Sequence, residues 1–170
     1  MFRFFTSVKN GVKKHFEYSN PLFYQKKNKI FADDVTKLNK TQINKIFTPN
    51  NEKDLQQIIK LAKLNGKKIS IKGQSHTMGG HSLSKNCYLI DMKYMKTMKY
   101  DEENKILITE PGATWGDAIR FLNSYGQSPE IMQSYCSFSI GGTISVNAHG
   151  NFKFYLVLLT FIKELHLIKL

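Results

Sequence analysis

Helix-forming and strand-forming patterns alternate along this chain from about residue 30, with Gly, Asn and Pro between them. Apolar residues recur at helical spacing after Asn51 and again after Thr114, and both residues are typical helix caps. Alternating or apolar runs predict strands at 68–72, 88–91 and 106–109. Interleaving of this kind is typical of α/β and α+β folds.

The basic composition invites a nucleic-acid interpretation, which the residue types weaken. The formal net charge is +12, but only Arg3 and Arg120 are arginine among 25 basic residues. Recognition of phosphates and bases favours arginine, because its planar fork binds in a bidentate way. No recognition helix, zinc spacing or aromatic-basic platform accompanies the lysines. We therefore expect no nucleic-acid partner.

The two cysteines, Cys87 and Cys136, form neither a disulfide framework nor a metal-like spacing. Both lie in apolar stretches, so we expect two buried, reduced thiols in a cytoplasmic protein without a metal site.

Residues 1–30 form a basic N-terminal extension without the apolar run of a signal peptide. Its phenylalanines and lysines could form a helix on an anionic membrane surface, and a loosely packed tail is the alternative. The longest apolar run, 154–162, is far shorter than the roughly 20 residues that cross a bilayer. Peripheral membrane contact by residues 1–30 therefore stays open.

The first segment with chemical content is Gly73-Gln74-Ser75-His76-Thr77-Met78-Gly79-Gly80, directly after a predicted strand. Small residues and glycines let several backbone N–H groups point inward as an anion-binding nest. The spacing matches neither the usual dinucleotide fingerprint nor a Walker A loop. An ordinary turn is the alternative for this segment.

The second segment runs from Ser139 to 150 and contains Gly141-Gly142. Adjacent glycines allow a backbone or a flat ring to approach closely. In an extended chain Thr143, Ser145 and Asn147 would share one face and could bond a heterocycle or phosphates. The alternative is a Gly-kinked strand with a solvated polar face.

The third segment, 110–115, is a strand end with Pro111 and Gly112 that turns into a capped helix. A helix start of this kind can face an anion, although most helix starts bind nothing.

Taken in order along the chain, these three segments resemble the FAD-binding domain of the vanillyl-alcohol-oxidase-like FAD-linked oxidases. The family's G-x-x-H-S loop corresponds to 73–77, with Thr77 in place of Ser, and its P-G-x-x-W segment to 111–115. Its G-G-x-x-S-x-x-x-H-G segment corresponds to 141–150, and 33–39 resembles the bacterial lactone-oxidase-like branch. The resemblance implies an α+β fold of small mixed sheets with flanking helices.

FAD is the cofactor that the resemblance implies, with its pyrophosphate held by the amides of 73–79. His76 stands where many relatives attach the flavin covalently through a ring nitrogen, and neutral imidazole is a suitable nucleophile. The implied cofactor contacts are Gly73, Gln74, Ser75, His76, Thr77, Met78, Gly79, Pro111, Gly112, Gly141, Gly142, Thr143, Ser145, Asn147 and Gly150.

The implied activity is that of an oxidase or dehydrogenase acting on an alcohol, lactone or similar carbon by hydride transfer to flavin. The expected organisation is a basic extension at 1–30, a partial FAD-binding domain at 31–150 and an altered or truncated strand segment at 151–170. The family's substrate-binding cap domain is missing, so no catalytic acid or base can be named. A truncated copy with unpaired strand edges should be poorly stable alone. A non-catalytic remnant that binds FAD weakly or not at all is the alternative.

Overall fold

A computed structural model describes residues 29–148, and this part of the chain is built from short strands and three helices. In chain order the elements are β1 Ile30–Ala32, β2 Thr41–Ile43, β3 Lys45–Phe47, α1 Glu52–Leu64, β4 Ile69–Lys72, β5 Tyr88–Asp91, β6 Met98–Asp101, β7 Ile106–Thr109, α2 Trp115–Asn123 and α3 Ile140–Ser145. The predicted strand near the C-terminus and Gly150 lie outside the described residues.

The strands form three small sheets. The order β3-β5-β4 makes a parallel three-stranded sheet, while β1-β2 and β6-β7 are antiparallel pairs. Small mixed sheets flanked by helices confirm the predicted α+β class. No helix within 29–148 has the length and apolar character that a membrane span requires.

Helix α1 covers one face of the parallel sheet, as its apolar spacing predicts. The Asn51 side chain caps it by accepting from the Asp54 N–H, and the buried positions Leu55 and Ile58 pack with Ile90 of the central strand. This burial supplies most of the stability of a helix of this length, because isolated helices of 13 residues are marginal in water.

Strand β5 is buried along its whole length because both faces of the sheet are covered. Leu89 and Cys87 pack on the side opposite α1, against Ile43 at the end of β2. The expectation of a buried thiol is confirmed for Cys87 and is wrong for Cys136, which is exposed. Cys136 is held by its backbone, since its carbonyl accepts from the Gly116 N–H at 2.7 Å, while its side chain is left in solvent.

A second apolar cluster joins α2, α3 and the loop between them. Its buried members include Trp115, Ala118, Ile131 and Ile140. The cluster meets the parallel sheet at Gly112, whose N–H donates to the Met95 carbonyl at 2.8 Å. A Cβ at position 112 would lie 1.9 Å from the Met92 carbonyl oxygen, so only glycine permits this contact.

We expect Gly112→Ala to lower the free energy of unfolding by at least about 2 kcal/mol, because the clash is with backbone that cannot rotate away. Chemical denaturation of the full chain measures the change. Gly142→Ala is the matched control. Its Cβ would meet only the rotatable Ser139 hydroxyl, at 2.8 Å, and alanine favours the helix. Equal unfolding midpoints for Gly112→Ala and the wild type would contradict the assignment.

Candidate functional site

The three chemically distinctive segments meet in space. The Ile140 N–H donates to the Ala113 carbonyl at 2.8 Å, and the Gly141 N–H donates to the Pro111 carbonyl at 3.0 Å. A Cβ on Gly73 would lie 2.2 Å from the Ser139 hydroxyl oxygen, which joins the first loop to the same junction. Three segments far apart in the sequence therefore form one surface at the carboxyl end of β4.

The loop from 74 to 79 presents backbone amides that have no hydrogen-bond partner in the described part of the chain. Among residues 29–148, no acceptor lies within hydrogen-bond distance of the N–H groups of 74–79. Positive φ angles at Ser75, Gly79 and Gly80 turn the loop repeatedly. Successive free amides in such turns form a concavity that favours a bound anion.

His76 is exposed and lies beside the residues that directly precede the second segment. Its ring lies 4.5 Å from that of Phe138, centroid to centroid, and the Ser137 hydroxyl oxygen lies 3.4 Å from its Nε2. No partner of Nδ1 is found among the described residues, so Nδ1 is the freer of the two ring nitrogens. The second histidine near the loop, His81, is also exposed.

The backbone N–H groups at the start of α2 all have acceptors within the chain. The predicted cap at Thr114 is confirmed and is part of a capping box: Asp117 accepts from the Thr114 N–H at 3.0 Å, and its own N–H donates to the Thr114 hydroxyl at 3.1 Å. The two N–H groups between them donate to the carbonyls of Phe138 and Cys136. The expectation that this helix start can face an anion is therefore wrong, because its amides have no free donor to offer. Contact of Pro111 and Gly112 with a cofactor stays a prediction.

Asp117 is the most strongly perturbed carboxyl group described near the junction. Burial alone would raise its pKa, but hydrogen bonds from the Thr114 N–H and hydroxyl and from the Lys96 ammonium outweigh it and lower the pKa to about 2. The Arg120 guanidinium also contacts this carboxylate.

Residues 140–145 form helix α3. The prediction of an extended chain with its polar side chains on one face is therefore wrong. Thr143 is buried and its hydroxyl donates to the Ile140 carbonyl at 2.7 Å, while the Ser145 hydroxyl donates to the Gly141 carbonyl at 2.7 Å. Asn147 follows the helix with φ 48° and is exposed. The physical reason is tertiary: a Cβ on Gly141 would lie 2.8 Å from the Pro111 carbonyl oxygen, so the glycine pair serves close packing at a helix start.

One contributor to the site carried no functional role in the sequence analysis. The Asp34 carboxylate, from 33–39, accepts from the Gly80 N–H at 2.8 Å, and the Val35 N–H donates to the Ser75 carbonyl at 2.9 Å. An acid with a threonine two positions later and an asparagine five positions later is the only local signal, and such spacings are common to many turns. Within the described part of the chain no group of His, Cys, Asp and Glu side chains could hold a metal ion.

Residues 43–169 match the family described as the FAD binding domain. The chain belongs to the FAD-binding domain family. An uncharacterized oxidoreductase of the fasciation locus of Rhodococcoides fascians is 23% identical over 105 residues, which are 62% of this chain and 24% of that protein. Cytokinin dehydrogenase 2 of Arabidopsis thaliana is 22% identical over 108 residues, 62% of this chain and 21% of that protein. This FAD-binding domain thus spans about a quarter of the length of these relatives.

The fold of the FAD-binding domain is shared with solved oxidase structures. The crystal structure of cholesterol oxidase from B. sterolicum superposes with a TM-score of 0.62 at 16% identity, covering 77% of this chain and 27% of that chain. The match confirms the predicted vanillyl-alcohol-oxidase type of fold.

The described residues fit a pyrophosphate-containing cofactor. Within 29–148 the amides of 74–79 are donors without acceptors, and glycines at 79 and 80 keep Cβ atoms out of the turn. A pyrophosphate would supply acceptors for these N–H groups. The predicted contacts of Gln74, Thr77 and Met78 lie on this loop, whereas those of Gly141, Gly142, Thr143, Ser145 and Asn147 lie on and after α3.

We expect the FAD-binding domain to lose stability in acid through Asp117. Because its pKa falls from 3.8 to about 2 in the folded state, the contribution is complete above the unfolded value and is lost as the pH falls through the folded one. The shift corresponds to about 2 kcal/mol. Denaturation of the wild type and of Asp117→Asn at a series of pH values between about 5 and 2 measures it. The variant should lack this part of the pH dependence, and parallel curves for the two proteins would contradict the assignment.

Proposed function

We propose that this chain binds FAD as the flavin-holding part of an FAD-linked oxidoreductase that acts on an alcohol, lactone or similar carbon. The observation that carries the proposal is the loop of free amides at the point where the three family-like segments meet. Membership in the FAD-binding domain family and the shared fold support it. FAD, when bound, supplies the hydride-accepting chemistry of such enzymes.

The chain's own part in this function is to bind and orient the cofactor. The amides of 74–79 would hold the pyrophosphate, and the exposed His76 would lie beside the flavin. We further propose covalent attachment through a ring nitrogen of His76, with Nδ1 favoured because Ser137 lies at Nε2. The new C–N bond would replace a C–H bond of a ring methyl group of the flavin and the N–H bond of the imidazole. Both hydrogens and their two electrons would pass to the flavin ring, which an electron acceptor such as oxygen would then reoxidise. Phe138 limits the rotation of the imidazole and would keep the reacting nitrogen in place.

We also propose that FAD, and not nucleic acid, is the anionic partner of this basic chain. The one arginine in residues 29–148, Arg120, is paired with Asp117 and so is not free to bind phosphates in a bidentate way. Peripheral contact of residues 1–30 with an anionic membrane remains a separate hypothesis, and salt-sensitive binding of the chain to anionic vesicles would support it.

The visible absorption spectrum of the purified chain tests the proposal when it is recorded after incubation with FAD and removal of unbound FAD by gel filtration, and again after acid precipitation. We expect a flavin spectrum in solution and yellow colour in the precipitated protein. In His76→Ala the precipitate should be colourless, because the attached cofactor is lost, while FAD in solution should still bind through the amides of 74–79.

His81→Ala is the matched control, since His81 is an exposed histidine next to the same loop. It should keep the colour of the precipitate. A yellow His76→Ala precipitate would exclude His76 as the point of attachment. A soluble wild-type chain that stays colourless with added FAD would contradict FAD binding and favour a non-catalytic remnant.

A further inference from the structure

Asp34 is a buried carboxylate that accepts hydrogen bonds from two separate parts of the chain. Its side chain is 1% exposed. One oxygen accepts from the N–H and hydroxyl of Thr36, and the other accepts from the Asn39 amide and from the Gly80 N–H, both at 2.8 Å. The bond to Gly80 crosses 46 positions of sequence and reaches the end of the amide loop.

The segment 33–39 therefore holds the loop at both ends. At the start of the loop, the Val35 N–H donates to the Ser75 carbonyl at 2.9 Å. At its end, a Cβ on Gly80 would lie 3.0 Å from the Cβ of Asn39, so the two segments pack closely. Between these two attachments lie 76–79, four of the six loop residues whose N–H groups have no acceptor among residues 29–148.

We propose that Asp34 is a positioning residue for FAD, because it fixes the turn that aims the amides of 74–79 at the cofactor's pyrophosphate. The inference rests on the proposed function and adds a residue to it that does not touch the cofactor. A rigid arrangement of amides loses less conformational freedom when the anion binds, which is the physical origin of the expected gain in affinity.

Only a carboxylate satisfies this set of donors. All four groups around Asp34 donate, and an asparagine would turn an N–H₂ group toward at least one of them. The hydrogen bond from the Thr36 hydroxyl, together with those from the Gly80 and Thr36 amides, lowers the pKa of Asp34 against its desolvation, so the group stays ionised near neutral pH. These donors also disperse the negative charge that would otherwise repel a nearby phosphate.

The test is Asp34→Asn in the full chain, with FAD affinity measured by quenching of flavin fluorescence. We expect the Kd for FAD to rise about tenfold or more, the order of magnitude of one lost hydrogen bond to a charged group. Thr36→Val is a milder second variant that leaves the bond to Gly80 intact, and it should raise the Kd by a smaller factor. It keeps the test decisive if Asp34→Asn does not fold.

Asp101→Asn is the matched control. Asp101 accepts from the N–H and side-chain amide of Asn104 in the β6–β7 turn, far along the chain from the loop. This variant should leave the Kd for FAD unchanged. A Kd for Asp34→Asn equal to that of the wild type would overturn the inference alone, whereas a wild-type chain that fails to bind FAD would overturn the proposed function with it.

Amide hydrogen exchange without FAD separates positioning from general loss of stability. In Asp34→Asn the Gly80 amide should exchange about tenfold faster or more, since its acceptor is altered, while the amide of Ile58 within α1 should keep its rate. Equal acceleration of both amides would show a global loss of stability and would overturn the positioning role.

Discussion

Close contact of backbone with backbone at Gly112 is the constraint on which the rest of the described structure depends. A Cβ there would lie 1.9 Å from the Met92 carbonyl oxygen, so no other residue lets the α2–α3 cluster meet the parallel sheet in this way. Gly141 repeats the arrangement against Pro111 on the other side of the same strand end. Because contact at atomic distance has little tolerance, these two close contacts fix where the second segment, which contains Ser139, meets Gly73.

Where the three segments meet, most polar groups have hydrogen-bond partners and a few do not. The N–H groups at the start of α2 have acceptors, the hydroxyls of Thr143 and Ser145 donate within α3, and Asp34 has a full set of donors. Among the described residues, the exceptions at this surface are the amides of 74–79 and the buried Nε1 of Trp115. Proteins pair nearly all of their buried backbone groups, so a solvent-facing row of unpaired donors beside a saturated scaffold is where a ligand's acceptors are best placed.

The sequence predicts the elements that carry strong local signals. The caps and apolar faces of α1 and α2 are read correctly, and so are β4, β5 and β7, whose runs are apolar or alternating. Strands β1, β2 and β3 are only three residues long, and Thr41-Gln42-Ile43 has no period to detect, so pairing with β1 decides the conformation of β2. Helix α3 is misread for a related reason, since Gly141-Gly142 disfavours a helix locally and packing against Pro111 outweighs that preference.

Some residues of the site are needed for packing and others are not. This difference determines which substitutions can test cofactor binding. Gly73, Gly112 and Gly141 are needed for packing, so loss of flavin after changing one of them would not distinguish a broken site from a broken fold. His76 differs because it is exposed, and within 29–148 the recorded contacts of its ring are those with Ser137 and Phe138. Its truncation removes a reactive nitrogen and leaves the backbone crossings intact. The motif that looks most conspicuous in the sequence, the glycine pair, is therefore the less informative one for chemistry, and the single histidine in the loop is the more informative one.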